Sequence, residues 1–594
     1  MADGALDALR PVVPGPVVLG VERSATDRRW EGPTPAEDRL GQAIVQTTGC
    51  PDAVGRILAW RGVAPEEARA HLAPSLRDLM PDPSSLRDMD AAAARVLQAV
   101  RRRERIAIFA DYDVDGGASA ALLLIWLRSL GLTATLYVPD RIDEGYGPND
   151  PAMAALGAGH DLIVCVDCGT LSHGPIAAAG CDVIVLDHHQ GAETLPAAVA
   201  VVNPNRQDES GKLGHICAAG VVFLLLVAIN RALRADGRPG PDLMPLLDLV
   251  ALATVADVAP LVGLNRAFVR QGLAVMAGGL RPGLAALGEV AGLTSAPSVH
   301  SLGFALGPRI NAGGRIGVAD LGARLLATPN PHEAAALAER LHRLNAERRN
   351  VEAGVLDRAM AQADANGADG PLVWAAGDDW HPGVVGIVAA RLKEAFGRPA
   401  IVIGFDGDAG KGSGRSTAGV DLGAAVARLL AEGLIEKGGG HRMAAGLSLS
   451  RGQLASAMSR LAELLARQGS GAPQPRTLRI AGLVAPAAAT LTLAEALAAA
   501  GPYGASSPAP FIAVPDARIA GLRKVGASHL ALTLTDGGAS RLDAIAFRAA
   551  LSPLGPLLTS AAGGRLHVMG RLECDDWGGR RRVKLHIEDA ARPG

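Results

Sequence analysis

Three short apolar runs, Ile106–Phe109, Leu162–Val166 and Val183–Leu186, punctuate the stretch from 86 to 290. Each is too short for a helix and unrelieved by polar positions, which is how a strand buried on both faces reads. Helically spaced segments alternate with them. Asp90–Arg103 precedes the first run, Ala118–Leu130 follows it, a strand is expected at Thr135–Val138, and helices are expected around 218–234 and 243–255. That alternation predicts a mainly parallel, doubly wound α/β sheet over 86–290.

Residues 331–365 contain no proline after the first position, and Leu337, Leu341, Leu344, Val351, Val355 and Leu356 recur at roughly helical spacing. One long helix is expected there, closing a connecting segment of 291–365. A second α/β lobe follows at 366–468, with strands at Leu372–Ala375 and Ala400–Ile403, a helix Val384–Ala395, and glycine-rich turns at 410–419 and 438–440. After a Gly/Pro/Ser linker at Gly469–Pro475, the tail 476–594 changes to period-two alternation at Leu530–Thr535, Asp543–Phe547, Leu566–Leu572 and Arg581–Ile587. Such a tail predicts a small OB-like β-barrel, a fold that carries single-stranded nucleic acid. Residues 1–85, Pro-punctuated with a short helix near Pro65–Leu72, read as an N-terminal appendage packed on the next domain.

A chain of 594 residues is too long for one core. Its net charge of −2 provides no global attraction for polyanions, so nucleic-acid binding must use local basic surface. Arg101–Arg105, Arg340–Arg349 and Arg580–Arg582 with Lys584 are the candidates, each equally readable as a solvated face. The six cysteines lack zinc-site spacing, and Cys165 and Cys168, flanking Asp167, read as buried thiols. The N-terminus has no signal-peptide pattern, and the longest apolar run, Val221–Ile229, is short of a membrane span, so a cytoplasmic protein is expected.

The chemistry follows the buried runs: ADYDVDG at 110–116, VDCGT at 166–170 and LDHHQ at 186–190. Ligands in open α/β sheets collect at the carboxyl ends of the strands. Asp111, Asp113, Asp167, Asp187, His188 and His189 should therefore meet in one crevice, where so many carboxylates repel unless divalent cations neutralise them. Asp111 and Asp113, two apart, would share one side of an extended chain. A helix cap accounts for one Asp, not for three at alternate positions. Asp187 can orient an imidazole. Oxygen and imidazole donors without a cysteine requirement suit two Mn²⁺ or Mg²⁺ ions and in-line phosphoryl displacement.

These strings in this order resemble the DHH phosphoesterase superfamily. Asn203-Pro-Asn-Arg, GPRINAGGRIG at 307–317, HPGVVGIVA at 381–389, GSGRS at 412–416 and GGGHRMAAG at 438–446 narrow the resemblance to its RecJ branch. The resemblance implies a DHH-type parallel-sheet domain, a DHH-associated α/β domain across a long helix and a C-terminal OB-like barrel. It implies a 5′→3′ exonuclease that degrades single-stranded DNA to 5′-mononucleotides in repair and recombination. Among site residues, it implies Asp111, Asp113, Asp167, His188 and Asp257 on the metals, and Asp115 as a further ligand or a carboxylate behind them. Asp187 would orient the histidines, and His189 would sit against the scissile phosphate. Arg309, Ser413 and Arg415 would clamp the 5′-phosphate, and Asn311, Arg315 and His441 would line the DNA path or that pocket. Ala110 and Gly117 depart from the family pattern without removing a ligand. The partners expected are a single strand with a 5′ end, a helicase and a single-strand-binding protein, with the enzyme itself a monomer. A phosphodiesterase for dinucleotides or short oligonucleotides shares the metal chemistry, and a catalytically inactive DNA-binding scaffold is the non-enzymatic alternative.

Overall fold

The computed structural model describes residues 15–141, 143–365, 370–471, 476–575 and 581–594. The first residues of the chain, positions 472–475 of the expected linker and Arg580 lie outside the described residues.

A short strand, β1 (Arg29–Glu31), and the helices Pro35–Thr48 and Asp52–Trp60 begin the described chain. A five-stranded sheet follows: β2 (Ile106–Ala110), β3 (Ala134–Tyr137), β4 (Leu162–Val166), β5 (Asp182–Leu186) and β6 (Ala200–Val202). Its order is β3-β2-β4-β5-β6 and every pairing is parallel. Alternate residues of its strands feed two cores. Ile108, Val164 and Ile184 face one layer of helices, while Phe109, Cys165 and Val185 face the other. Burial on both faces explains the unbroken apolar runs. It also places β2, β4 and β5 side by side, so the three acidic strings leave adjacent strand ends.

The helix Pro331–Ala365 spans 35 residues, roughly 50 Å. Leu337 and Leu341 pack into the first domain's core, and Val355 and Ala359 into the second lobe's. One rigid element is thus shared by both lobes and fixes the gap between them. The second lobe holds β7 (Val373–Asp378), β8 (Ala400–Asp406), β9 (Ala409–Arg415), β10 (Lys437–His441) and β11 (Ala444–Ser450), ordered β10-β11-β9-β8-β7. The glycine-rich segments expected as turns at 410–419 and 438–440 are largely strand, in β9 and β10. Gly412 and Gly414 answer to crowding in the sheet. A Cβ on Gly412 would stand 2.8 Å from Ile403, and one on Gly414 would stand 2.4 Å from Ile401.

The tail contains β12 (Thr477–Leu483), β13 (Phe511–Val525), β14 (His529–Thr535), β15 (Leu542–Ala546), β16 (Arg565–Asp575) and β17 (Arg582–Ala591). β13 pairs with both β14 and β16, which closes a five-stranded barrel. The N-terminal segment packs mainly here, and its last part, Leu76, Leu79 and Met80, packs on the neighbouring domain as expected. β1 pairs in parallel with β12, and Ile44, Val54, Ile57 and Leu58 share a core with Leu532, Leu566 and Ile587. Inside, the Trp30 indole N–H donates to the buried Asp589 carboxylate at 3.0 Å. The two ends of the chain therefore form one folded unit.

Arg266, buried on the helix Gly263–Ala277, ties that unit to the sheet domain. Its guanidinium donates to the carbonyls of His71, Ala500, Gly501 and Pro502 at 2.7–3.2 Å. The helix Ala218–Ala235 is long and apolar enough to cross a membrane by length and composition, beyond the shorter run seen in the sequence. Here it is a core helix, with 72% of that window buried.

Candidate metal centre and phosphate grip

Asp111 follows β2, and Asp113 caps the helix Val114–Ser129, its Oδ1 accepting the N–H groups of Asp115 (2.8 Å) and Gly116 (3.2 Å). Asp113 is thus a helix cap and also a member of the acidic cluster, and the chain has already turned at that point. Gly116 permits the turn, because a Cβ there would stand 2.4 Å from the Asp111 carbonyl oxygen. Asp167 ends β4 in the left-handed region, with φ 60. Asp257 is the C-cap of the helix Leu247–Ala256.

These side chains converge in three overlapping groups, each with donor atoms within 4.8 Å of one another. They are Asp111, Asp113 and Asp167; Asp115, His188 and Asp257; and Asp167, His188 and His189. Asp167 and His188 each belong to two of them. His188 Nε2 lies 3.3 Å from Asp167 and 3.8 Å from both Asp115 and Asp257. Asp115 also has a structural task, since its two oxygens take the N–H groups of Ala218 and Ala219 at 2.7 and 2.8 Å.

Cations fit this donor set on two observations. Asp111 Oδ1 and Asp167 Oδ1 are buried yet accept no hydrogen bond, an expensive state for a carboxylate oxygen without a partner. Burial, reinforced by the neighbouring carboxylates, also pushes Asp111 and Asp167 well above the usual range, raises Asp115, and takes Asp257 up to about 8. A divalent ion replaces the protons that such groups otherwise retain.

Asp187 behaves in the opposite way. Burial works to raise it, but the hydrogen bond and charge of His189, the Thr170 N–H and the charge of His188 outweigh burial and hold it below the usual range. Its Oδ1 receives the N–H groups of His188 (2.7 Å) and His189 (3.2 Å) and the ring Nδ1 of His189 (2.8 Å), while Oδ2 receives Thr170 N–H (3.1 Å). Asp187 therefore orients the histidine pair and spends its lone pairs doing so. Burial opposes a charge on His189, yet the Asp187 bond raises it to about 9. Asn203 Nδ2 and Asn205 Nδ2 hold the His189 and His188 carbonyls at 2.8 and 2.5 Å, which gives the Asn-Pro-Asn string a scaffolding task.

Opposite the acids stands a basic group. Arg415 Nη1 donates to Ser413 Oγ at 3.1 Å on β9. Arg315 Nη1 donates to the Gly383 carbonyl at 3.0 Å, and burial and the Arg141 charge lower its pKa to about 10. The Arg141 guanidinium lies 5.2 Å from the Tyr112 ring centroid, and its charge also presses on Arg415 and His381. His441 is exposed on β10, opposite Ala444, whose other neighbour is Arg415. Asn311 Oδ1 is buried without a hydrogen-bond partner. Arg309 is separate. It donates to Ala305 O and faces His342 on the long helix, its charge meets that of Arg349, and no hydrogen bond joins it to Ser413 or Arg415 among the described residues.

The sequence reading missed Arg141 and Tyr146. The Tyr146 hydroxyl donates to the Asp167 carbonyl at 3.1 Å and reaches His189 Nδ1 at 3.1 Å. Both residues lie in the segment after β3, where no periodicity marks them.

Family models match in the same order as these parts: the DHH family N-terminal domain at 105–254, the DHHA1 domain at 369–467 and the RecJ OB domain at 480–589. The single-stranded-DNA-specific exonuclease RecJ of Dickeya dadantii is 39% identical over 562 residues, covering 91% of this chain and 96% of its own. This chain belongs to the RecJ family. RecJ from Thermus thermophilus in complex with Mn²⁺ superimposes with a TM-score of 0.78 at 31% identity, covering 94% of this chain and 78% of that one. The Mg²⁺ complex gives 0.72 at 30% identity, covering 94% and 77%. The family's sheet domain, DHH-associated lobe and barrel are those described above.

Proposed function

We propose that this protein is a metal-dependent 5′→3′ exonuclease that degrades single-stranded DNA to 5′-mononucleotides in DNA repair and recombination. The observation that carries the reading is the pair of unpartnered buried oxygens on Asp111 and Asp167, set in a crevice faced by Arg141, Arg315 and Arg415. An acidic seat for cations beside a cationic seat for phosphate is the pairing that cleavage near a phosphorylated end requires.

Asp111, Asp113, Asp167, His188 and Asp257 would hold two Mn²⁺ or Mg²⁺ ions, with Asp115 bracing the crevice from behind. Bound divalent ions supply Lewis acidity to the scissile phosphate and lower the pKa of water. The chain's own groups do the rest. Asp187 fixes the His189 ring through Nδ1, and Nε2, 3.3 Å from the Tyr146 hydroxyl, would turn toward the phosphate region. Ser413 and Arg415, with Arg141 and Arg315, hold the terminal 5′-phosphate through charge-assisted hydrogen bonds. Their grip sets polarity, since only a 5′ end then places its first internucleotide bond at the metals. His441 and Asn311 line the approach, and Arg309 meets the strand along the long helix. The barrel stacks unpaired bases behind the cut.

The enzyme works as a cytoplasmic monomer downstream of a helicase and beside a single-strand-binding protein. A 5′-terminal single strand is the substrate that strand separation supplies. The test is a time course on 5′-phosphorylated single-stranded DNA, the same duplex and the same RNA sequence, with Mg²⁺ or Mn²⁺. Mononucleotides released only from the single-stranded DNA, and only with metal, are the expected result. Endonucleolytic fragments, or equal attack on duplex, would overturn the reading.

A further inference from the structure

The sheet face that carries Ser413 and Arg415 continues beyond them. Directly paired residues share a face, and the β9–β11–β10 register sorts them into three rows. Arg415, Ala444 and His441 form the first, Ser413, Gly446 and Gly439 the second, and Lys411, Ser448 and Lys437 the third. Successive rows are roughly 7 Å apart along the strands. The middle row is a trough, and packing does not demand its glycines. Nothing lies within 4 Å of a Cβ on Gly439, and only a carbonyl oxygen at 3.9 Å meets one on Gly446. Side chains there would fill open space, and that space belongs to a cavity of about 440 Å³. Lys411, Ser413, Lys437 and Ser448 line it together with Arg141 and Gly383.

Lys411 and Lys437 are exposed and have no ion-pair partner among the described residues. Elsewhere in this lobe Arg428 and Arg460 pair with Glu432, and Arg451 with Asp378. Two unpaired ammonium groups on one cavity repel each other until an anion lies between them. Strongly hydrated, flexible ammonium groups suit a chain of phosphates that demands charge more than fixed geometry.

We propose that this trough is a subsite for the second and third phosphates of a 5′-polyphosphorylated strand end, adjoining the grip on the first phosphate. The proposal rests on the exonuclease reading and extends it to the substrate's leading end. Water adds to the phosphorus of the first internucleotide bond, the bond to the 3′-oxygen breaks, and that oxygen takes a proton. The first product is a nucleoside 5′-triphosphate, and the remaining strand begins with a monophosphate for the next cycle.

The test uses the full chain with Mn²⁺ and one single-stranded DNA bearing either a 5′-monophosphate or a 5′-triphosphate. The wild-type protein should release nucleoside triphosphate from the second, with kcat/KM within about threefold of the first. Lys411→Ala with Lys437→Ala should keep kcat/KM on the monophosphate within about twofold and lose about tenfold or more on the triphosphate. Equal loss on both strands, or no loss on either, would overturn the proposal. ATP as a free competitor separates the two sources of a polyphosphate chain. ATP inhibition relieved by the double variant, without loss on the triphosphorylated strand, would overturn the strand-end assignment in favour of a free nucleotide. Failure of the wild-type protein to digest the monophosphorylated strand would instead be failure of the exonuclease reading.

Discussion

Asp187→Asn tests how the histidine pair is held, because the four donors around this carboxylate leave an amide no neutral choice. Three N–H groups converge on Oδ1 at 2.7–3.2 Å, and Thr170 N–H points at Oδ2 from 3.1 Å. The amide nitrogen must take the Oδ2 position, where it faces another donor. Losing that bond to a charged acceptor costs about 1.5–3 kcal/mol, and loss of charge weakens the other three by a similar sum, for ~3–6 kcal/mol in all. If about half of that orienting energy is expressed only in the transition state, kcat falls roughly 10- to 100-fold. KM for a 5′-phosphorylated strand should stay within about threefold, since the phosphate grip does not change, while the affinity for Mn²⁺ should fall about 10-fold, since Asp187 also holds His188. Steady-state digestion of that strand, with Mn²⁺ titration and circular dichroism to show an intact fold, measures both. A folded variant with kcat within about twofold of wild type would refute the orienting role.

Asp113→Ala and Asp167→Ala should each abolish cleavage while far-UV circular dichroism stays unchanged, and Asp167→Ala should weaken both ions in a Mn²⁺ titration because Asp167 joins two donor groups. Metal removal should make stability pH-dependent. Asp257, raised to about 8, and Asp111 and Asp167, raised above their ordinary value, stabilise the metal-free fold fully below pH ~4 and lose that contribution as pH rises through their folded values. Melting in chelator should therefore fall between pH 5.5 and pH 8, and added Mn²⁺ should abolish the fall. A flat profile in chelator would contradict it. Arg266→Met strips four main-chain carbonyls of a shared donor and should weaken docking of the barrel unit by about 3–5 kcal/mol. Faster proteolysis near residues 500–508 would report it.

The centre of the fold was legible because chemistry and burial coincide there. A strand buried on both faces gives an unbroken apolar run, and the residue that ends it must be at the sheet's carboxyl edge. Asp111, Asp167 and Asp187 could be placed on those grounds alone. Asp113 was placed in the correct cluster for an incomplete reason, since its capping of the next helix, rather than extension of the strand, sets its position. Contacts between distant segments left no local trace. Nothing in residues 29–31 announces a partner at 477–479, and the Pro515 break and register shift in β13 hid a 15-residue barrel strand. Gly412, Gly414 and Gly438 read as turns because sequence reports backbone freedom, whereas the sheet uses their missing side chains for close packing. Arg141 and Tyr146 lie in an aperiodic loop, where function has no pattern to interrupt.

Anomalous diffraction from crystals grown with Mn²⁺ tests the central claim most directly. Two peaks a few ångströms apart, one against Asp111, Asp113 and Asp167 and the other against Asp167, His188 and Asp257, are the predicted result. A crevice without manganese under conditions in which the protein digests DNA, or manganese bound only elsewhere, would contradict the account.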